Sequence, residues 1–231
     1  MGVKRSEFLG LMVCGGLASG MPARPTSAYT VAIAPASPKA LYLQVGVGTF
    51  SPANGAYVGG YNGTVPGTPV SDPTVNKVYV NVPVGSVGNS VAQAMSTDST
   101  VTNSSYDGYT YCAGGGAQLY IGTFYRTTSA AATAAAVLTA TVPASLAGAN
   151  GKSIPFSQIS WTSSGNGDTN GNGFLPEVFP AGTFVNGGSQ TLGSVQTNQW
   201  AESCWTFTYA NTTVPAPGIY SGRVIYTLVS P

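Results

Sequence analysis

Carboxylates are the side chains of this sequence best suited to acid–base chemistry, because the chain contains no histidine. Glu177 and Glu202 are the best candidates for the paired carboxylates that a glycosidase needs. Their spacing does not indicate a shared cleft, and scattered acids more often keep a charge-poor surface soluble. Serine-triad and cysteine–histidine chemistries lack their usual base, and there is no Gly-x-Ser-x-Gly motif. We therefore expect that the protein is not an enzyme.

Cysteines offer a second chemistry. Cys14 lies in an apolar N-terminal run, which leaves Cys112 and Cys204 in the rest of the chain. An even pair in an exported protein usually forms a disulfide. A redox role is poorly supported, because there is no Cys-x-x-Cys spacing and no histidine to activate a thiolate. The sequence predicts a disulfide between Cys112 and Cys204.

One stretch has oxygen-bearing side chains at the spacing of a calcium loop. Asp168, Asn170 and Asn172 stand at alternate positions, and a glycine follows at the sixth. The second half of the pattern fails, because Phe179 occupies the twelfth position and Glu177 comes two residues early. A Gly/Asn turn is the favoured interpretation, and a calcium site is the alternative. No other cofactor is expected.

Composition and charge narrow the class of protein. Charged residues make up 6% of the chain and the net charge is +1, so the clustered positive charge that nucleic-acid binding requires is missing. With 43% hydrophobic residues the chain can bury a substantial core. Its polar surface must consist of hydroxyls and amides more than of ions. This balance is commoner in exported surface proteins than in cytosolic ones.

The N-terminus has the pattern of an export signal. Lys4 and Arg5 precede an apolar run at 8–17 that is too short to span a bilayer, and Thr26-Ser27-Ala28 provides small residues suitable for cleavage. We interpret residues 1–28 as a signal peptide that is removed, and residues 29–231 as a single exported domain without a membrane span. A lipid anchor on Cys14 is disfavoured, because the residues before it are bulky.

Beyond residue 28, short alternating segments are separated by Gly, Pro and Asn. Such segments predict β-strands, at 29–34, 41–50, 77–82, 118–125, 137–142, 154–162, 183–185, 190–195, 202–209 and 219–229. Residues 87–95 are compatible with one or two helical turns. The number and spacing of strands predict an all-β, Ig-like or jelly-roll-like antiparallel β-sandwich. Long loops rich in Gly, Ser, Thr and Asn, at 51–74 and 96–109, would lie at its ends.

The last strands show the clearest period of two. In the 202–209 segment, Trp205, Phe207 and Tyr209 form an aromatic row that alternates with smaller residues. In the final run, five residues share one face of the predicted strand: Tyr220, Gly222, Val224, Tyr226 and Leu228. Both patterns predict strands with one face in the core.

This closing run resembles the C-terminal strand of bacterial pilus subunits built by the chaperone–usher pathway. Gly218 stands fourteen positions from the end, where that family has a glycine, and the alternation follows it. Ser230 replaces the family's usual penultimate tyrosine, and the cysteine pair differs from the early pair of those pilins. The resemblance implies a fimbrial structural or adhesive subunit, exported through the periplasm to the cell surface. Its implied partners are further copies, other pilus subunits and a periplasmic chaperone.

The resemblance also implies donor-strand exchange, in which one subunit's N-terminal segment completes its neighbour's sandwich. Tyr29, Val31 and Ile33 alternate with smaller residues ahead of Pro35, so this segment is a candidate donor strand. It is also compatible with the first strand of the chain's own sheet, and its six residues are short for a donor. Both interpretations remain open from sequence.

A secreted carbohydrate- or surface-binding module is the alternative function. Exposed aromatic rings on a sheet or loop stack on sugars, and the candidates are Tyr57, Tyr61, Tyr106, Tyr109, Tyr111, Trp161, Trp200 and Trp205. The position of Trp205 in an alternating row indicates that it packs in the core instead. Three Asn-x-Ser/Thr triplets, at Asn62, Asn103 and Asn211, match the N-glycosylation pattern, which is frequent by chance in this composition.

Overall fold

The computed structural model describes residues 29–32, 34–35, 37, 39–47, 49–51, 56–58, 76–106, 108, 110–164 and 178–231. In chain order its strands are β1 (Tyr29–Ala32), β2 (Ala40–Val45), β3 (Thr49–Ser51), β4 (Ala56–Val58), β5 (Val78–Tyr79), β6 (Gln93–Ala94), β7 (Ser96–Thr97), β8 (Leu119–Arg126), β9 (Ala136–Val142), β10 (Ser145–Gly148), β11 (Ser153–Pro155), β12 (Ile159–Ser164), β13 (Gly182–Thr183), β14 (Gly188–Val195), β15 (Gln199–Tyr209), β16 (Tyr220–Ser221) and β17 (Ile225–Val229). Short 3₁₀ helices cover Val84–Ser86, Ala149–Gly151 and Phe156–Gln158. The predicted leader lies outside the described residues.

Strand β15 is the centre of the main sheet, whose order is β13-β12-β15-β8-β2. The first half of β15 pairs with β8 and β1, and the second half with β12 and β6. All these pairings are antiparallel. Eight of the eleven residues of β15 are buried, because elements pack on both faces of this strand.

A second antiparallel sheet, β14-β9-β17, packs against one face of the main sheet. Ile121 and Trp205 from the main sheet meet Leu138, Ala140 and Leu192 from the second in one apolar core. Smaller pairings complete the fold: β11-β10-β16, β3-β4 and β5-β7. The predicted all-β antiparallel sandwich is confirmed. Within the described ranges, no helix is long and apolar enough to cross a membrane.

Three predicted strands are interrupted, and each interruption has a local cause. The strand predicted at 41–50 turns at Gly46, which has a positive φ of 62°. The one predicted at 154–162 contains Pro155, after which a 3₁₀ turn carries the chain from β11 to β12. The closing strand predicted at 219–229 is two strands, because β16 pairs with β10 whereas β17 pairs with β9 in another sheet.

Gly222 lies where the closing run changes sheets. A Cβ at this position would lie 2.9 Å from a ring carbon of Phe156 and 3.0 Å from a methyl of Leu146. The absent side chain therefore lets the backbone pass close to the core. Beyond this crossing the predicted face is confirmed, since Val224, Tyr226 and Leu228 pack against the core.

The helical turns allowed at 87–95 do not form. The chain there runs as a loop into β6, and Asn211 holds the loop from the opposite side. Asn211 is fully buried at a positive φ of 56°. Its Nδ2 donates to the carbonyl of Ser86 at 2.8 Å, and its Oδ1 accepts from the Gly88 amide at 2.8 Å. The Asn211 triplet is therefore inaccessible to glycosylation in the folded protein.

We expect Asn211→Ala to lower the free energy of unfolding by about 2–3 kcal/mol, because it removes these hydrogen bonds and puts a Cβ-bearing aliphatic residue at positive φ. Asn211→Gly removes the same hydrogen bonds, but glycine adopts a positive φ without strain. The decrease in its free energy of unfolding should therefore be about 1 kcal/mol smaller than for Asn211→Ala. Urea unfolding of the two variants measures the difference. Equal losses would show that the backbone conformation contributes nothing.

Candidate functional site

The two long central strands of the main sheet present different residues to its two faces. On β8, Leu119, Ile121 and Tyr125 point into the sandwich core. On β15, Trp200 and Glu202 lie on the opposite, outer face with Cys204. The loop between β7 and β8 covers this outer face. A second, smaller buried cluster forms there, and it contains the only carboxyl among the buried residues described.

Glu202 is the centre of that cluster. Its Oε1 accepts hydrogen bonds from the hydroxyls of Ser104 and Tyr120, both at 2.6 Å, and from Trp200 Nε1 at 2.5 Å. Its backbone carbonyl accepts from the Tyr111 hydroxyl at 2.9 Å. These donors come from the covering loop, from β8 and from β15 itself. One carboxyl therefore binds the loop to the sheet.

The local sequence explains how Tyr120 reaches Glu202. Gly122 lies directly opposite Glu202 in the β8–β15 register. A Cβ on Gly122 would come within 2.8 Å of the Tyr120 ring, so only glycine lets that ring lie over the strand. Burial, and then the Glu202 carboxyl, raise the pKa of Tyr120 far above its usual value. The phenol therefore stays protonated and remains a donor.

Glu202 was a catalytic candidate by residue type, and the structure places it at a structural position. It is fully buried and receives three donors on one oxygen. Its predicted partner, Glu177, lies outside the described residues, as do the calcium-loop positions Asp168, Asn170 and Asn172. Phe179, the twelfth position of that pattern, is fully buried in the core. No metal-binding group of three His, Cys, Asp or Glu residues occurs in the part of the chain that the structure describes.

Among the aromatic candidates whose side chains the structure describes, no exposed platform forms. Trp161 and Trp205 stack on each other in the core with ring centroids 4.9 Å apart. Trp200 is buried on the outer face, stacked on Tyr42 at 4.9 Å. Tyr106, which is 47% exposed, tilts against Trp200 from outside. These rings support the sheet, and Tyr61 and Tyr109 lie outside the described residues.

The predicted disulfide between Cys112 and Cys204 is present. Its two Cα atoms are 5.5 Å apart, and the bond joins residues separated by 92 positions. Both cysteines are buried beside Tyr111 and Tyr120. The bond fastens the covering loop to β15, two residues beyond Glu202.

The candidate donor strand is paired within its own chain. Strand β1 lies antiparallel to β15, with Tyr29 opposite Glu202 and Val31 opposite Trp200. Ile33 lies outside the described residues. Among the described strands, β1 pairs with β15 alone. Two of its acceptor residues, Trp200 and Glu202, belong to the buried cluster on the outer face.

The C-terminal strand residues are divided between two places. Tyr220 pairs with β10 and Gly218 lies in the loop that precedes it, whereas β17 forms the edge of the second sheet. Ile225 and Val229 on β17 are 49% and 53% exposed. Within the described part of the chain, β17 pairs only with β9, so its other edge carries backbone groups without strand partners.

No family model, curated protein or solved structure matches this chain. Its function must therefore be argued from its own geometry. The geometry from which a function can be argued is the pairing of β1 with β15.

Proposed function

We propose that the chain is an exported structural or adhesive subunit of an extracellular, pilus- or fimbria-like assembly, and that subunits join by exchanging β1. In the assembly, β1 of one copy leaves its own β15 and pairs with the β15 of a neighbour. The observation that carries the proposal is the single pairing of β1, at the flank of β15 and at the N-terminal end of the described chain.

The position of β1 makes exchange inexpensive in free energy. The strand is four residues long, and the connection to β2 contains Pro35 and Pro38. Exchange replaces the same backbone hydrogen bonds in the same register, so few contacts differ between the closed monomer and the joined subunits. Residues before proline favour extended conformations, so the connection between β1 and β2 is disposed to an extended conformation that lets β1 reach a neighbouring subunit.

The acceptor is suited to receiving a strand because it is held from its other side. Glu202 and Trp200, opposite Tyr29 and Val31, are fixed by the outer-face cluster. The neighbouring Cys204 carries the disulfide. An acceptor that keeps its shape when β1 leaves avoids the ordering cost that a mobile edge would add to binding.

Cross-linking between separate chains tests the exchange. Ala32 lies opposite Gln199 in the β1–β15 register, and facing residues of antiparallel strands are close enough for a disulfide. We expect a mixture of Ala32→Cys and Gln199→Cys proteins to form covalent dimers under mild oxidation. The chain carrying both substitutions should form a ladder of oligomers, seen on non-reducing gels and by size-exclusion chromatography.

A matched control uses Ser160→Cys in place of Gln199→Cys. Ser160 pairs with Thr208 and Thr183, away from β1, so it should not cross-link with Ala32→Cys. If the double variant closes only within one chain and the mixture stays monomeric, β1 belongs to its own sandwich. Strand exchange would then be wrong.

A further inference from the structure

A shallow concavity opens beside strands β5 and β7, away from the strand-exchange site. Its walls include Asp98, Thr100 and Thr102 on one side and Gly115 and Gly116 on the other. The lining consists of hydroxyls, backbone and one carboxylate. Such a surface offers several hydrogen bonds within a small area.

Strand register places an aromatic residue one strand away from Asp98, outside the residues that line the concavity. Val78 lies opposite Thr97, and Tyr79 lies opposite Ser96. Val78 packs against the core and Thr97 is buried, so Tyr79 and Ser96 point outward. Asp98 follows two residues after Ser96 and is exposed. Tyr79 and Asp98 are therefore diagonal neighbours on one face, within the reach of an aromatic side chain.

Asp98 is held in a fixed orientation. Its Oδ1 accepts from Asn76 Nδ2 at 2.9 Å and from the Lys77 amide at 2.7 Å. Asn76 is itself anchored, since its Oδ1 accepts from the Val47 amide at 2.9 Å. The hydrogen bond from Asn76 is the main cause that lowers the pKa of Asp98. The carboxylate is thus oriented and ionised over the ordinary pH range.

The glycine wall is also preorganised. Gly115 and Gly116 have positive φ angles of 77° and 75°. The Gly116 carbonyl accepts from the Thr97 amide at 2.8 Å, which closes the turn onto the end of β7. The Cys112 amide donates to the Thr102 carbonyl at 2.8 Å, so the disulfide is joined to the threonine side of the concavity. A ligand would meet a surface already in its bound shape.

These groups together match the chemistry of a sugar. A fixed carboxylate accepts two hydroxyl donors, threonine hydroxyls both donate and accept, and a tyrosine ring packs on the apolar face of a pyranose. Tyr79 is 55% exposed and offers such a ring. Asp98 disfavours an anionic ligand, and exposed Lys77 opposite it balances the local charge, so a neutral ligand fits best.

We propose that the concavity between Asp98 and the Gly115–Gly116 turn binds a neutral saccharide, and that Tyr79, on the neighbouring strand, packs against the part of the sugar that extends beyond it. The inference rests on the adhesive part of the proposed function. It makes no use of β1, so the cross-linking experiment and the binding experiment can fail separately. A chain that binds sugar without exchanging strands is a binding module, and one that exchanges strands without binding sugar is a structural subunit.

The test probes the full chain, with its leader processed during export, on a printed array of glucose-, galactose-, mannose- and N-acetylglucosamine-terminated glycans, together with sialylated ones. We expect retention on at least one neutral glycan. Titration with that glycan should show about a tenfold or greater loss of affinity for Tyr79→Ala and for Asp98→Asn. Tyr79→Phe should keep most of the affinity, because it keeps the ring.

Lys152→Gln is the matched control, because it changes one exposed charge in a different part of the fold, beside β11. Thermal unfolding of each variant confirms that it is folded. No retention of the wild-type chain on any neutral glycan would overturn the proposal. So would binding confined to sialylated glycans, or unchanged affinity in both Tyr79→Ala and Asp98→Asn.

Discussion

Replacing Glu202 by alanine should lower the free energy of unfolding by about 3–5 kcal/mol. The substitution leaves three donors, the Ser104 and Tyr120 hydroxyls and Trp200 Nε1, without the acceptor they share. All three belong to a buried cluster in which a lost partner is not readily replaced by water. It also leaves a cavity under the covering loop.

Urea unfolding monitored by tryptophan fluorescence measures this loss, and Glu202→Gln is the matched control. Glutamine keeps the volume of the side chain and one acceptor oxygen. The decrease in free energy of unfolding for Glu202→Gln should therefore be about half that for Glu202→Ala, or less. Equal losses in the two variants would mean that the shared acceptor does not stabilise the outer face, and that packing alone accounts for the effect.

Replacing both Cys112 and Cys204 by serine should cost about 3–5 kcal/mol of unfolding free energy. The disulfide closes a loop with a sequence separation of 92, and cross-linking so long a loop removes much conformational entropy from the unfolded chain. The buried serine hydroxyls add a smaller penalty, because they take the place of apolar sulfur.

Reduction of the wild-type chain provides an independent comparison, because it breaks the same bond without changing any residue. Reduced wild type and the double serine variant should unfold at similar urea concentrations, both well below the oxidised protein. Hydrogen exchange should show the greatest local loss of protection at the Thr102–Cys112 contacts. An oxidised and a reduced protein of equal stability would contradict the prediction.

Both substitutions also bear on the two proposals. Glu202 and Cys204 lie on the strand that accepts β1, and Cys112 is hydrogen-bonded to Thr102, which lines the sugar concavity. Variants that loosen the outer face should therefore weaken strand exchange and sugar binding together. Tyr79→Ala should affect sugar binding alone.

Much of the fold could be predicted from local pattern. The alternation in 202–209 placed Trp205 and Phe207 in the core, where the structure has them. The even number of cysteines beyond the N-terminal run, Cys112 and Cys204, predicted the disulfide. The first inference succeeds because the alternation of a pleated strand depends on neighbouring residues and not on topology. The second succeeds because an even pair of cysteines forms a disulfide in an oxidising compartment whatever the topology that joins them.

Strand ends and sheet membership were harder to predict. The closing run alternates without a break in sequence, yet it divides at Gly222 because its two halves pair with β10 and β9. The same run of alternating residues satisfies one long strand or two short ones. Which of them forms depends on partners distant in sequence, and no local signal specifies those partners.

The tertiary structure alone decided the role of Glu202. By residue type it was a surface acid or half of a catalytic pair, and by position it is the buried acceptor that binds a loop to the sheet. The proximity of Tyr79 and Asp98 was likewise decided by tertiary structure, because it depends on the pairing of β5 with β7. Local sequence pattern was enough to predict the all-β sandwich and its disulfide. Long-range strand register decided which of its few charged side chains were buried and which lay beside an exposed ring, because burial and proximity are properties of the assembled sheets.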